Sequence, residues 1–226
     1  LLFVRPGQRL GHGQRTAAPP FELDDAEAIL REVSGVAEVA PQSSQAMVAV
    51  YCNENWNTAV TGSDNRYFPV GNWELAQGRY FSDSELRAGK SVCVIGETVR
   101  QKLFGAQVPI GSKIRLKKIS CEIIGLLKSK GQSAGGSDQD DTIVIPLRTF
   151  WRRIAGNQDV QRLRISAREG VSTARVQRDI ENLMRERRRI APGEEDDFSV
   201  MDMQEIVRTL TGTTRILTAL LGAVAA

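Results

Sequence analysis

The chain is short of the residues from which catalytic and metal centres are usually built. Its 226 residues include three cysteines and one histidine. Cys52, Cys93 and Cys121 form no CxxC pair and have no histidine at ligand spacing, which argues against a zinc site, and an odd number argues against a disulfide framework. The redox state of the three stays open. His12 stands in a Gly-rich loop (GHGQR) with no serine or carboxylate that the sequence assigns to it. There is no G-x-S-x-G nucleophile elbow, so a hydrolase reading has no residues to rest on. Charge of one sign is also missing: 30 Lys and Arg face 27 Asp and Glu, a net of +3. That balance leaves no electrostatic footprint for nucleic acid. No basic segment followed by a small-residue cleavage site opens the chain, so it does not begin as a signal peptide. A full membrane-spanning run is absent too. The longest apolar stretch, Ile216–Ala226 (ILTALLGAVAA), would cover about 16 Å as a helix, roughly half a bilayer core. It reads either as a C-terminal core helix or as a transmembrane helix cut midway, and its abrupt Ala-Ala stop favours the second.

What is present is ordinary globular composition, 41% hydrophobic and 25% charged. The densest pattern lies between Ser91 and Leu147. Strand-like runs at Val92–Ile95, Lys113–Leu116, Glu122–Leu127 and Thr142–Ile145 alternate with Gly and Pro, and a short helix, Glu97–Phe104, sits among them. Gly105-AQVPI-Gly111-Ser112-Lys113 resembles a phosphate loop only superficially. Five residues separate its glycines where four are needed, and Ser precedes the Lys. The acidic stretch Ser137–Asp141 lacks the sixth-position glycine and terminal glutamate of an EF-hand. The segment around it reads as an exposed loop suited to a partner contact, with Lys130, Gly131, Gln132, Ser133, Asp138, Asp140 and Asp141 as candidates.

The two ends of the chain look like copies of one unit. Leu1–Arg5 is an apolar strand, Leu23–Val33 a helix with Asp24 or Asp25 as cap, and Val36–Tyr51 a second strand region. Gln161–Arg168 alternates like a half-buried strand, Thr173–Arg189 carries a Val176, Ile180, Leu183, Met184 stripe, and Phe198–Met203 is a strand again. Two βαβ units predict an α+β fold in which the ends pair and the middle forms a β-rich insert. The expected division is residues 1–65 with 157–205, residues 66–156, and a helix from 206 to 226. The aromatics Tyr67, Phe68, Trp73, Tyr80 and Phe81 read as hinge and core packing near the crossing between the two parts, with a partner-facing patch as the lesser alternative. The basic run Arg185–Arg189 complements the end of its helix, and the acidic run Glu194–Asp197 nearly cancels it.

The order VIGE, LFG, PIG, IIGLL, KGQS, an acidic Gly-rich loop and IVIPL is similar to the periplasmic core domain of MacB-type ABC transporter permeases. The resemblance implies a porter-like subdomain from the two ends and an inserted sabre-like subdomain. It implies a place between the first two transmembrane helices of an inner-membrane permease, facing the periplasm. It further implies no catalysis and no cofactor in this part, with the ATPase elsewhere. The partners implied are the transmembrane remainder, a membrane fusion protein, an outer-membrane channel and a second copy of the permease. A helix from Gln204 onward, with Val207, Leu210 and Leu217 as apolar contacts and Gly212 as a bend, would carry ATP-driven motion into the domain. Relatives of this kind export substrates, extract lipoproteins or regulate cell-wall hydrolases, so the cargo stays open. The alternative is a freestanding periplasmic binding or scaffold protein without a transport role.

Overall fold

A computed structural model describes residues 1–7, 18–133 and 136–203. Along these residues the elements run β1 (Leu2–Pro6), α1 (Leu23–Glu32), β2 (Val36–Tyr51), β3 (Glu54–Ser63), α2 (Tyr67–Val70), β4 (Leu75–Gly78), α3 (Asp83–Ala88) and β5 (Val92–Ile95). They continue as α4 (Glu97–Phe104), β6 (Lys113–Leu116), β7 (Ile119–Leu127), β8 (Thr142–Pro146), α5 (Leu147–Phe150), β9 (Arg162–Ala167), α6 (Thr173–Arg187) and β10 (Phe198–Asp202). A π-helical turn, Trp151–Ala155, continues α5.

The chain ends interlock. The strand order is β10-β1-β9-β2, with every neighbouring pair antiparallel. β1 and β2 are therefore parallel with β9 between them, and β9 and β10 are parallel with β1 between them. Each βαβ unit is split by the first strand of the other, as in ferredoxin-like folds. One face is sealed by helices: Ala26 and Ile29 of α1 and Val176, Ile180 and Met184 of α6 join Leu2, Val4, Leu163 and Ile165 in one core. Arg187 locks the two helices together, donating to Asp25 at 2.9 Å and Asp24 at 2.7 Å.

Several helix and strand limits differ from the sequence expectation for local reasons. α1 is capped at Glu22, whose N–H donates to the Asp25 carboxylate at 3.0 Å, so Asp25 acts one turn in and is not the cap itself. α6 stops at Arg187 because Arg189 turns to φ +56. β7 begins at Ile119, three residues early, because Lys117 at φ +51 makes a two-residue hairpin that pairs Leu116 with Ile119.

β2 joins the two parts. Its residues 36–42 pair with β9 and its residues 43–51 with β3, so one strand of about 50 Å runs through both. Polar pins hold the handover: Ser63 Oγ donates to Pro41 O at 2.7 Å and Ser43 Oγ to Asp159 O at 2.5 Å.

Beyond the handover the ladder closes. β2, β3, β8, β5, β7 and β6 form a ring because β6 pairs with both β7 and β2. A closed ring leaves no open edge along it. Met47, Ala49, Cys93, Ile95, Ile114, Leu116, Ile123 and Ile143 pack together in one core with Val99 and Leu103 of α4. By hydrogen bonding, residues 43–63 run with these inserted strands. The aromatics build a second core: Tyr67, Phe68, Trp73 and Phe81 pack on Val92, Val94, Ile124, Leu127 and Val144.

Two glycines of the VIGE and IIGLL runs mark close approaches. A Cβ on Gly96 would stand 2.1 Å from the Asp140 carbonyl oxygen, and one on Gly125 would stand 2.8 Å from that of Arg79.

Candidate functional site

The loop between β7 and β8 folds back on itself. Gln132 bridges Asp138, and the Ser133 and Ser137 hydroxyls meet at 2.8 Å. Asp140 is buried and organises the base of the loop. It accepts from Ser129 Oγ at 2.5 Å, Lys130 N at 2.8 Å and Gly131 N at 2.9 Å. Asp138 accepts from Thr98 Oγ1 at 2.7 Å, and Asp141 from Trp56 Nε1 at 2.9 Å. Of the seven candidate contact residues, then, Asp138, Asp140 and Asp141 spend their carboxylates within the fold. Gln132 and Ser133 stand at the tip, with Gly136 and Ser137 exposed beside them.

Lys130 turns inward. Its Nζ donates to Gly71 O at 2.5 Å and lies 4.4 Å from the centre of the Trp73 ring. It thereby approaches Arg164 of β9, whose guanidinium carbon is 5.4 Å from the Phe3 ring and 5.9 Å from the Tyr67 ring. Burial, and then the Arg164 charge, hold the Lys130 ammonium below its ordinary range, while Asp140 opposes them. Gly71, Trp73 and Arg164 are absent from the sequence-derived candidates. The usable signal was the alternation Arg162-Leu163-Arg164-Ile165, which puts two arginines on the face of β9 opposite its core residues.

The candidate coupling residues Val207, Leu210, Gly212 and Leu217 lie outside the described residues, as does His12. Their point of attachment is described. β1 and β10 are paired with Leu2 opposite Asp202, and Met203 N donates to Leu1 O at 3.0 Å. Leu1 and Met203 therefore stand side by side at one end of the sheet. No helix among the described residues is long and apolar enough to cross a membrane.

The near-phosphate-loop is consumed by the ladder. Gly111 N donates to Ile123 O at 2.8 Å and Ser112 O accepts from Ile123 N at 2.9 Å. Among the described residues no three His, Cys, Asp or Glu side chains are grouped to hold a metal ion. Cys93 and Cys121 are buried thiols and Cys52 is an exposed one. Burial, with Cys121 beside it, pushes the Cys93 thiol well up. The basic and acidic runs near the C-terminus pair directly, Arg185 with Asp196 and Arg188 with Asp197.

Comparison with known proteins agrees with this architecture. The family profile described as MacB-like periplasmic core domain matches residues 1–183. A macrolide export ATP-binding/permease protein MacB of Bdellovibrio bacteriovorus is 37% identical over 207 residues, covering 91% of this chain and 32% of that protein. The chain spans about a third of the length of the curated relatives it matches. The crystal structure of the periplasmic region of MacB from Actinobacillus actinomycetemcomitans superposes with a TM-score of 0.77 at 19% identity, covering 93% of this chain and 92% of that one. The extracellular domain of the ABC-type transporter YknZ from Gram-positive bacteria gives 0.68 at 20% identity, covering 89% and 98%. At these identities the two structures speak to the fold.

Proposed function

Because this chain belongs to the MacB-like periplasmic core domain family of ABC transporter permeases, we propose that it converts ATP-driven membrane motion into work on an exported substrate. The observation that carries this reading is the pairing of β1 with β10. Neighbouring chain ends are what a domain inserted between two consecutive membrane helices requires. Here β1 and β10, the first and last strands of the described residues, are hydrogen-bonded neighbours in one sheet. A relative shift of the two helices acts directly on β1 and β10, and β9 and β2 follow through the ladder. β2 then passes the displacement into the ring without a chain break.

The moving units in this proposal are the porter-like residues 1–65 with 157–205 and the inserted residues 66–156, the β2–β3 hairpin of the first reaching into the ring of the second. The transmembrane remainder and its ATPase complete the machine in the inner membrane, with this domain on the periplasmic side and a second copy opposite it. A membrane fusion protein, leading to an outer-membrane channel, would dock on the exposed tip of the β7–β8 loop. The inward use of Asp138, Asp140 and Asp141 supports such a role, because a rigid base presents the tip in a fixed position.

Insertion of four glycines after Asp202 in the intact permease tests the reading. The domain stays folded, ATP hydrolysis continues and export stops if motion travels through that junction. Export at the parent rate would refute it.

A further inference from the structure

Around Gly71, more hydrogen-bond donors converge from both parts of the molecule than the described residues there supply with acceptors. Trp73 is 6% exposed, yet its Nε1 has no hydrogen-bond acceptor within bonding geometry among the described residues, with the Tyr67 hydroxyl beside it. Arg164 is half-buried and its Nε is likewise unpartnered. Trp73 Nε1 and Arg164 Nη1 both lie within 3.2 Å of the point where a Gly71 Cβ would stand. Lys130 Nζ reaches the same backbone from the other side, through Gly71 O at 2.5 Å. That single bond leaves two of its three N–H groups to spare.

Among the described residues, Asp140 acts on the Lys130 charge and no carboxylate pairs with Arg164. Arg66 is paired with Asp64 at 2.7 Å and Glu27 at 3.0 Å, whereas Arg164 forms no ion pair among the described residues. The carboxylate oxygens of Asp140 already accept from Ser129 Oγ, Lys130 N and Gly131 N. The Phe3 and Tyr67 rings hold the guanidinium in place but accept none of its N–H groups in the plane. An uncompensated charge and a buried, orphaned indole N–H are each unfavourable, and one anion would relieve both.

We propose that this junction binds an oxyanion, a carboxylate or a phosphate. Arg164 supplies a fork, Trp73 Nε1 a directional donor and Lys130 a second positive charge. Arg164 and Lys130 keep contact with solvent, so a dissolved ion can reach them. Arg164 stands on the porter-like sheet, and Trp73 packs on the strands of the ring. A bound anion therefore fastens one part to the other. This site does not depend on the transport reading.

The three tryptophans make a direct test in the 226-residue chain. Trp56 Nε1 and Trp151 Nε1 are already bonded, to Asp141 and to Asp159 O at 3.0 Å. Their indole N–H signals in a 1H–15N spectrum serve as internal references for that of Trp73. Titration with sodium phosphate, sodium acetate and sodium chloride at matched ionic strength should move the Trp73 signal saturably in phosphate or acetate and not in chloride. Phosphate or acetate, whichever saturates first, identifies the chemical class. Arg164→Gln should abolish the shift while melting at or above the parent temperature in chloride, because it removes an unpaired charge. A Trp73 signal unmoved by both oxyanions, or moved equally in Arg164→Gln, overturns the proposal. If Arg164→Gln does not fold, Lys130→Met decides. It should bind roughly tenfold more weakly, the worth of one charge-assisted hydrogen bond, and unchanged binding overturns the proposal.

Discussion

Gly96 should not tolerate any side chain, and the reason can be separated from its place at a helix start. Its backbone is unstrained, at φ −86, ψ 168, so no left-handed conformation calls for glycine. Space does: a Cβ would come 2.1 Å from the Asp140 carbonyl oxygen, where real contacts stay above 3.0 Å. Roughly 1 Å of backbone movement is needed, the kind of overpacking that costs about 1–3 kcal/mol. Neither backbone moves freely. Gly96 N donates to Thr142 O at 2.9 Å, and Asp140 is tied by its three donors. Weakening one such bond adds about 1 kcal/mol. A total of about 3 kcal/mol lowers the melting temperature of a chain this size by roughly 6–12 °C. Gly96→Ala and Gly96→Ser should both do this by differential scanning calorimetry. Serine is the informative variant, since it is the better N-cap and would rescue a capping defect. Gly156→Ala is the control. Its φ of +75 is unfavourable but nothing lies within 4 Å, so it should cost only about 1 kcal/mol. A Gly96→Ser variant as stable as the parent would refute the steric account.

Two further predictions concern a carboxylate and a loop. The Arg79 fork and the Ser82 N–H, at 2.8 Å each, hold Glu85 at about 2, below its ordinary 4.5. A lowered value means stability that is present above the unfolded value and lost as pH falls toward the folded one. The urea-midpoint deficit of Glu85→Gln should therefore be largest above about pH 5 and fade by about pH 2; a deficit constant across that range would contradict the ion pair. Replacing residues 132–137 by Gly and Ser of equal length should shift the melting temperature by no more than about 2 °C, because the anchors at Asp138 and Asp140 remain. The same variant should lose capture of the purified cognate membrane fusion protein, and undiminished capture would remove the loop from the proposed docking site.

Much of this fold was legible because local patterns decided it. The apolar stripes of Ala26, Ile29, Leu30 and Val33 and of Val176, Ile180, Leu183 and Met184 require helices that face a sheet; all are buried except Leu30 and Leu183, which are half-buried at the edge of the same core. The aromatics 67, 68, 73 and 81 form a core, as their clustering suggested, whereas Tyr80 stays exposed. Ring closure was not legible. It depends on four-residue β6 meeting β2 more than sixty residues away at Ala49–Leu116, and no local period encodes that pairing. The inward bonds of the acidic loop were not legible for a related reason. Asp140 and Asp141 stand in an acidic run along the chain, but backbone donors at Lys130 and Gly131 and the Trp56 indole meet them only once β7 and β8 are placed. The donors around Gly71 come from three separated segments, so their meeting is a product of topology.

The proposed transmission of motion is most directly tested by distances in the reconstituted full-length permease. Spin labels at Val48, exposed on the part of β2 that joins the ring, would be placed in a background with Cys52→Ser. The distance between the two protomers should change between nucleotide-free and ATP-trapped states. Labels at Ala37 and Val48 of one protomer should keep their separation, because one continuous strand carries both. An inter-protomer distance that stays fixed while ATP is trapped would contradict the account.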